Sequence, residues 1–241
     1  MKHFYGYIPD KEDKRDFLYK AVLPAETLPS MIDLRKQCSP IRDQGQLGSC
    51  TWESMVGFRE WMDKKATNKY TTLSVLFGYY NTRVDEGTPN EDSGCELRDC
   101  LKELNQVGTC PNKYWAYYIS RFAKKPSANA YAHSTYKINA YHRLNTLQDV
   151  KVCLANGSPV IIGFTVYESF ENISSNGIMP MPNPYEQVLG GHAVVVVGYD
   201  DTKQQLIVRN SWGKHWGAKG YFYMPYKFVT SDDVSDMWSA S

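Results

Sequence analysis

The sequence predicts an α+β protein of two lobes, a mainly helical first half followed by a β-rich second half. Three observations point to it. After Ser49, the apolar residues Trp52, Met55, Val56 and Met62 recur at helical spacing, with Glu53, Arg59, Glu60 and Lys64 between them. Beyond about residue 135 the pattern changes to short runs rich in Val, Ile, Phe and Tyr. Clusters of Gly and Pro separate those runs, as turns separate strands.

Taken in order, residues 1 to about 38 are polar and irregular, and Pro9, Pro24 and Pro29 interrupt any regular element. Ser49 is placed to N-cap the first helix, although Glu53 falls one residue late for a capping box. A second helix is predicted from Glu96 to Gln106, ended by Gly108 and Pro111. Strands are predicted over Val160–Val166, His192–Tyr199, Gln205–Arg209 and Gly220–Met224, with Asp200-Asp201-Thr202-Lys203 as a hairpin turn. A cleft between the lobes is the expected place for a site.

A chain of 241 residues buries a core without disulfide or metal. Aromatic residues make up 14%, including 18 tyrosines, as in a packed globular protein. The 27 basic and 26 acidic residues are mixed along the chain, so no field selects nucleic acid or an anionic membrane. No stretch reaches the ~20 apolar residues of a membrane helix. The opening MKHFYGYIPDKEDKRDF scatters charge where a signal peptide would be apolar. The expectation is therefore no nucleic-acid or membrane partner, and a cytoplasmic location by default. There are six cysteines, no CxxC pair and no HExxH, so neither metal nor cofactor is expected. Most thiols are expected to be reduced, with pairing among Cys38, Cys95, Cys100, Cys110 and Cys153 left open.

Thiols attack acyl carbonyls well as thiolates, and a helix N-terminus or a nearby imidazolium lowers the thiol pKa. Cys50 gains the first effect because the helical pattern begins at or just after it. His192 follows Gly190-Gly191 and opens a buried strand that can anchor an imidazole in a cleft. His3, His133 and His142 lie in polar surroundings and are expected to face solvent, which leaves His215 as the rival base. Asn210 offers an amide oxygen to one ring nitrogen, which fixes the tautomer without adding charge beside a thiolate. Trp212 is placed to cover that hydrogen bond. Gln44, six residues before Cys50, offers its NH2 beside the Cys50 N–H to an oxyanion.

The segments Gln44-Gly45-Gln46-Leu47-Gly48-Ser49-Cys50, Gly191-His192-Ala193-Val194 and Asn210-Ser211-Trp212-Gly213-Lys214-His215-Trp216-Gly217 then resemble the papain and cathepsin family of cysteine proteases. The Cys50–His192 spacing lies within the ~130–150 residues of that family. Leu28-Pro29 and Ile32-Asp33-Leu34-Arg35 resemble its mature N-terminus. Three departures stand out: Thr51 between Cys50 and Trp52, Leu47 in place of a disulfide cysteine, and Cys95 after Gly94. The opening Tyr5-Gly6-Tyr7-Ile8-Pro9-Asp10 with Arg15-Asp16 is similar to microbial and viral members.

The resemblance implies a papain-like two-lobe fold, with a helical left lobe over about 40–135, a β-barrel right lobe over about 136–241 and the active-site cleft between them. It implies a catalytic domain of residues 28–241, preceded by a short arm of residues 1–27. It implies peptide hydrolysis through a Cys50 thioester with His192, Asn210 and Gln44, and substrate contacts at Ser93, Gly94, Gly191, Trp212 and Trp216. The expected partners are a peptide or protein substrate and a protein inhibitor, and the chain is expected to be a monomer. The alternatives are acyl transfer to an amine through the same thioester, or a catalytically silent peptide-binding module. The arm is expected either to reach the cleft and limit access or to brace the lobes outside it. Ile178, Met179 and Met181, within Asn176 to Pro184, are either an apolar wall of the cleft or a cover for the right lobe.

Overall fold

A computed structural model describes residues 3–19 and 28–241. Strands β1 (Tyr7–Ile8) and β2 (Met31–Asp33) precede helices α1 (Cys50–Thr67) and α2 (Val75–Asp85). Strand β3 (Cys95–Glu96), α3 (Leu97–Gln106) and α4 (Ala128–Ala132) complete the helical side. Then come β4 (Tyr141–Arg143), α5 (Leu147–Ala155), β5 (Val160–Tyr167), α6 (Glu168–Glu171) and β6 (Val188–Asp200). The chain ends with β7 (Gln205–Arg209), β8 (Tyr221–Pro225), α7 (Tyr226–Val229) and β9 (Val234–Ala240). Two short strands and a 3-10 turn, Arg35–Gln37, thus interrupt the leading stretch read as irregular. Pro24 lies outside the described residues.

The α+β prediction holds, and the helices and strands predicted from periodicity lie where they were placed. The sheet runs β4-β9-β5-β6-β7-β8 in antiparallel order, with β2 added to the far end of β6. It is an open sheet and not the expected closed barrel, because irregular chain occupies both edges. Leu18 bridges to Arg143 beside β4, and the Tyr223 N–H on β8 donates to the Gly177 carbonyl at 2.8 Å. An edge satisfied in this way needs no partner strand. The segment around Ile178 is accordingly an edge cover, with Met179 buried in the sheet core.

Strand β6 is buried on both faces, which explains its unbroken apolar run. Ala193, Val195 and Val197 enter the core shared with α1, whereas Val194 and Val196 enter a second core with Phe164, Val208 and Phe222. The first nine residues of α1, Cys50 to Phe58, are buried, as in a helix enclosed on every side. Trp52 is a core residue: a Cβ at Gly78 of α2 would lie 2.2 Å from its ring, and its indole N–H donates to Thr82 at 2.8 Å. Ser49 does not cap α1. Its hydroxyl pairs with the Tyr117 hydroxyl at 2.8 Å, so the first N–H groups of the helix keep no side-chain acceptor. Among the described residues no helix is long and apolar enough to cross a membrane, and all six cysteines are buried and form no disulfide.

Candidate active site

Backbone pairing brings the three sequence blocks together. The Gln44 N–H donates to the Ser211 carbonyl and the Gly213 N–H to the Arg42 carbonyl, both at 2.9 Å. The loop leading into α1 is thereby stitched to the segment that follows β7. Its other end is held by Asp92, whose two carboxylate oxygens each accept from the Gly48 N–H at 3.0 Å. Cys50 becomes the first residue of α1, and the backbone N–H of Ala193, the neighbour of His192 on β6, favours its thiolate.

His192 Nε2 and Asn210 Oδ1 are 2.8 Å apart in a fully buried bond. With the amide oxygen accepting, Nε2 carries the proton, and Nδ1 is buried without a partner among the described residues. Trp212 lies over the imidazole at a centroid distance of 4.8 Å. His215 is exposed and takes no part. His3 departs from its expected exposure: its ring stacks flat on Trp212 at 3.8 Å, a contact that only the folded path of the arm creates.

Gln44 is fully buried and held at both ends of its amide. Its oxygen accepts from the Ser211 hydroxyl at 2.7 Å, and its nitrogen donates to the Leu47 carbonyl at 2.9 Å and the Phe4 carbonyl at 3.1 Å. Ser211 was missed in the sequence, where it is simply the neighbour of Asn210.

The Phe4 contact belongs to an arm that runs through the cleft. Only glycine fits at position 6, because a Cβ there would lie 1.7 Å from the Gly48 oxygen, and its backbone N–H favours the Cys50 thiolate. The Gly6 carbonyl accepts from the Cys95 N–H at 2.9 Å, and Tyr7–Ile8 pair in parallel with Cys95–Glu96. Cys95 therefore does not prevent strand pairing at this edge. Beyond the cleft the arm is fastened by Asp10 and Asp16. Asp10 accepts from the Arg98 backbone N–H at 3.0 Å and the Trp238 indole at 2.9 Å, and Asp16 makes two 2.8 Å bonds to the Arg98 guanidinium. Of the predicted arm, residues 1, 2 and 20–27 lie outside the described residues.

With the arm in place Cys50 has no exposed surface. Burial pushes its thiol up to about 12, against the Ala193, Gly6 and Thr51 N–H groups. Burial likewise lowers His192 to about 4, against the Asn210 bond. Both groups are thus neutral at pH 7, contrary to the thiolate expected from the helix terminus. Desolvation outweighs the dipole once water is excluded.

Of the predicted substrate contacts, Gly94 and Gly191 flank the arm. A Cβ at Gly94 would lie 2.3 Å from the Gly6 oxygen, and one at Gly191 would lie 2.4 Å from the Tyr7 oxygen. The Ser93 hydroxyl turns instead to Thr88 at 2.8 Å. Trp212 takes the His3 ring, and Trp216 stands edge-on to Trp212 at 5.1 Å.

The sequence model of papain family cysteine proteases matches residues 28–238. A peptidase C1-like protein of Acanthamoeba polyphaga mimivirus is 37% identical, over 97% of this chain and 85% of its own length. Cathepsin B-like CP3 of Giardia intestinalis is 30% identical, over 87% of this chain and 74% of its own. The crystal structure of xylellain, a cysteine protease from Xylella fastidiosa, superposes with a TM-score of 0.91 at 37% identity, covering 98% of this chain and 95% of that one.

Proposed function

Because the chain belongs to the papain family of cysteine proteases, we propose that it hydrolyses peptide bonds through a thioester on Cys50, with His192 as base and then acid. The Cys50 sulfur adds to the scissile carbonyl carbon while the thiol proton passes to His192 Nδ1. Gln44 Nε2 and the Cys50 N–H donate to the oxygen that gains negative charge. The C–N bond breaks, the amine leaves with the proton from His192, and the acyl group stays on sulfur. Water, losing its proton to His192, adds to the thioester; the carboxylic acid departs and the thiol is restored. The observation that carries this reading is the buried His192–Asn210 bond of 2.8 Å, which leaves Nδ1 unpartnered on the residue next to Ala193, whose backbone N–H favours the Cys50 thiolate.

A substrate strand takes the place of residues 4–8, between Gly94 and Gly191, with Trp212 and Trp216 on the leaving-group side. Ser93 adjoins that path without a contact from the arm. The arm holds the protease latent, since the Phe4 carbonyl uses the Gln44 amide and Gly6 covers the nucleophile.

Labelling of the reduced full chain by an epoxide of the papain-inhibitor type, mapped by peptide mass, tests this. Modification confined to Cys50, faster in Gly6→Val and accompanied by hydrolysis of a fluorogenic peptide amide, is the expected result. Hydrolysis that survives Cys50→Ala would overturn the assignment.

A further inference from the structure

Tyr7 is the arm residue whose side chain leaves the cleft for a slot of its own. Its ring lies against two glycines on neighbouring strands. A Cβ at Gly163 of β5 would lie 2.2 Å from the ring, and one at Gly191 of β6 would lie 2.8 Å from it. Any side chain at either position fills the slot. The ring is buried, yet the slot ends in polar groups: the phenol O–H donates to the Asp236 carboxylate, with the Ser235 hydroxyl at 2.6 Å. Asp236 is itself 1% exposed. Its other oxygen takes the Arg143 guanidinium, while the Asp10 N–H donates at 2.8 Å to the same oxygen as the Tyr7 phenol.

Tyr7 is the register partner of Cys95 on the strand edge that the arm uses. When the arm leaves, Asp236 loses the Tyr7 O–H and the Asp10 N–H and keeps Arg143. A buried carboxylate short of donors is costly, so a side chain that restores one is favoured. The two glycines leave a space suited to a flat ring. The donor must be neutral, because Arg143 already compensates Asp236 and a second cation would lie against its guanidinium.

We infer that the slot closed by Asp236 and Ser235 selects tyrosine, over phenylalanine and over arginine, on the substrate residue facing Cys95. The inference rests on the proposed peptidase reading for its use, but the slot can be tested without turnover.

The test uses the full chain carrying Gly6→Val, whose added side chain clashes with Gly48 and frees the cleft. Two fluorescein-labelled peptides spanning His3–Asp10, one with phenylalanine in place of Tyr7, are titrated by anisotropy. In parallel, a peptide library randomised before the scissile bond is digested and its products are sequenced by mass. The tyrosine peptide is expected to bind roughly 10- to 100-fold more tightly, as for a buried hydrogen bond to a charged group. Tyrosine is expected to be enriched by a similar factor at one library position. Asp236→Leu should bring the two peptides together, and Ser235→Ala should narrow the gap if the first variant does not fold. In the chain otherwise native, Tyr7→Phe should speed epoxide labelling of Cys50 by loosening the arm. Equal binding of the two peptides, or enrichment of arginine, overturns the slot assignment. Absence of any cleavage, with the binding contrast intact, counts against the peptidase reading alone.

Discussion

The Ser211 hydroxyl donates a 2.7 Å hydrogen bond to the Gln44 amide oxygen, and both residues are buried. The dipeptide Asn210-Ser211 therefore aims two groups at once. Asn210 orients the imidazole, and Ser211 turns the Gln44 NH2 toward the cleft, where the Phe4 carbonyl meets it.

Ser211→Ala should lower kcat about tenfold, with KM nearly unchanged, because the Gln44 amide oxygen loses its donor and the Leu47 carbonyl alone then holds its NH2. Gln44→Ala should cost about 10²–10³ in kcat, as for loss of one oxyanion donor. The double variant should be no worse than Gln44→Ala, since the two residues act as a unit. Steady-state kinetics on the Gly6→Val background reads all three, and additive losses would show that Ser211 acts elsewhere.

The catalytic candidates were legible because their chemistry restricts residue type and local context: a helix start for Cys50, a buried strand for His192, an amide at the strand end for Asn210. The strands were legible because β6 is enclosed on both faces and shows it as a continuous apolar run. What depended on distant pairing was not. The pairing of Gly6 with Cys95, Leu18 with Arg143, and His3 with Trp212 leaves no periodic trace in the chain. The arm's path therefore stayed open, His3 read as a surface residue, and the strand pattern held nothing against the barrel that the resemblance implied. The neutral state of Cys50 follows from the same gap, since the burial that sets it includes the arm.

The anchor of the arm should weaken as pH rises through neutrality. Burial first, and then the charge of Asp236, raise the Asp10 carboxyl from its ordinary 3.8 to about 7 in the docked arm. The docked form holds this proton more tightly than the undocked form. Its contribution is full below about 3.8 and is lost as pH climbs through about 7. The hydrogen-exchange protection factor of the Cys95 N–H, which donates to the arm at Gly6, should fall across that window. In Asp10→Asn the trend should flatten, and an unchanged slope would assign the titration to another group.

Gly78 of α2 is fixed by contact and not by backbone conformation. A Cβ there would lie 2.2 Å from the ring of Trp52, which is fully buried. Gly78→Ala should destabilise the protein by about 1–3 kcal/mol through overpacking. Trp52→Ala should cost about 3–5 kcal/mol through the cavity it leaves. Denaturant titration measures both, and the pair should be less than additive, because removing the indole makes space for the methyl group.

In the docked chain burial holds the Cys50 thiol near 12, so its thiolate is scarce at pH 7 to 9 and the Gly6 backbone covers the sulfur. The alkylation rate of the native chain should therefore be low at neutral pH and still rising at pH 10. In Gly6→Val water reaches the sulfur, the desolvation that raised its pKa is relieved, and the helix terminus and the imidazole can favour the thiolate. The variant should react faster at pH 7 and approach a plateau within the neutral range, with the modification mapped to Cys50 in both proteins. A single rate profile shared by the two would mean that the arm leaves the cleft readily in solution, and that something other than its burial sets the reactivity of the thiol.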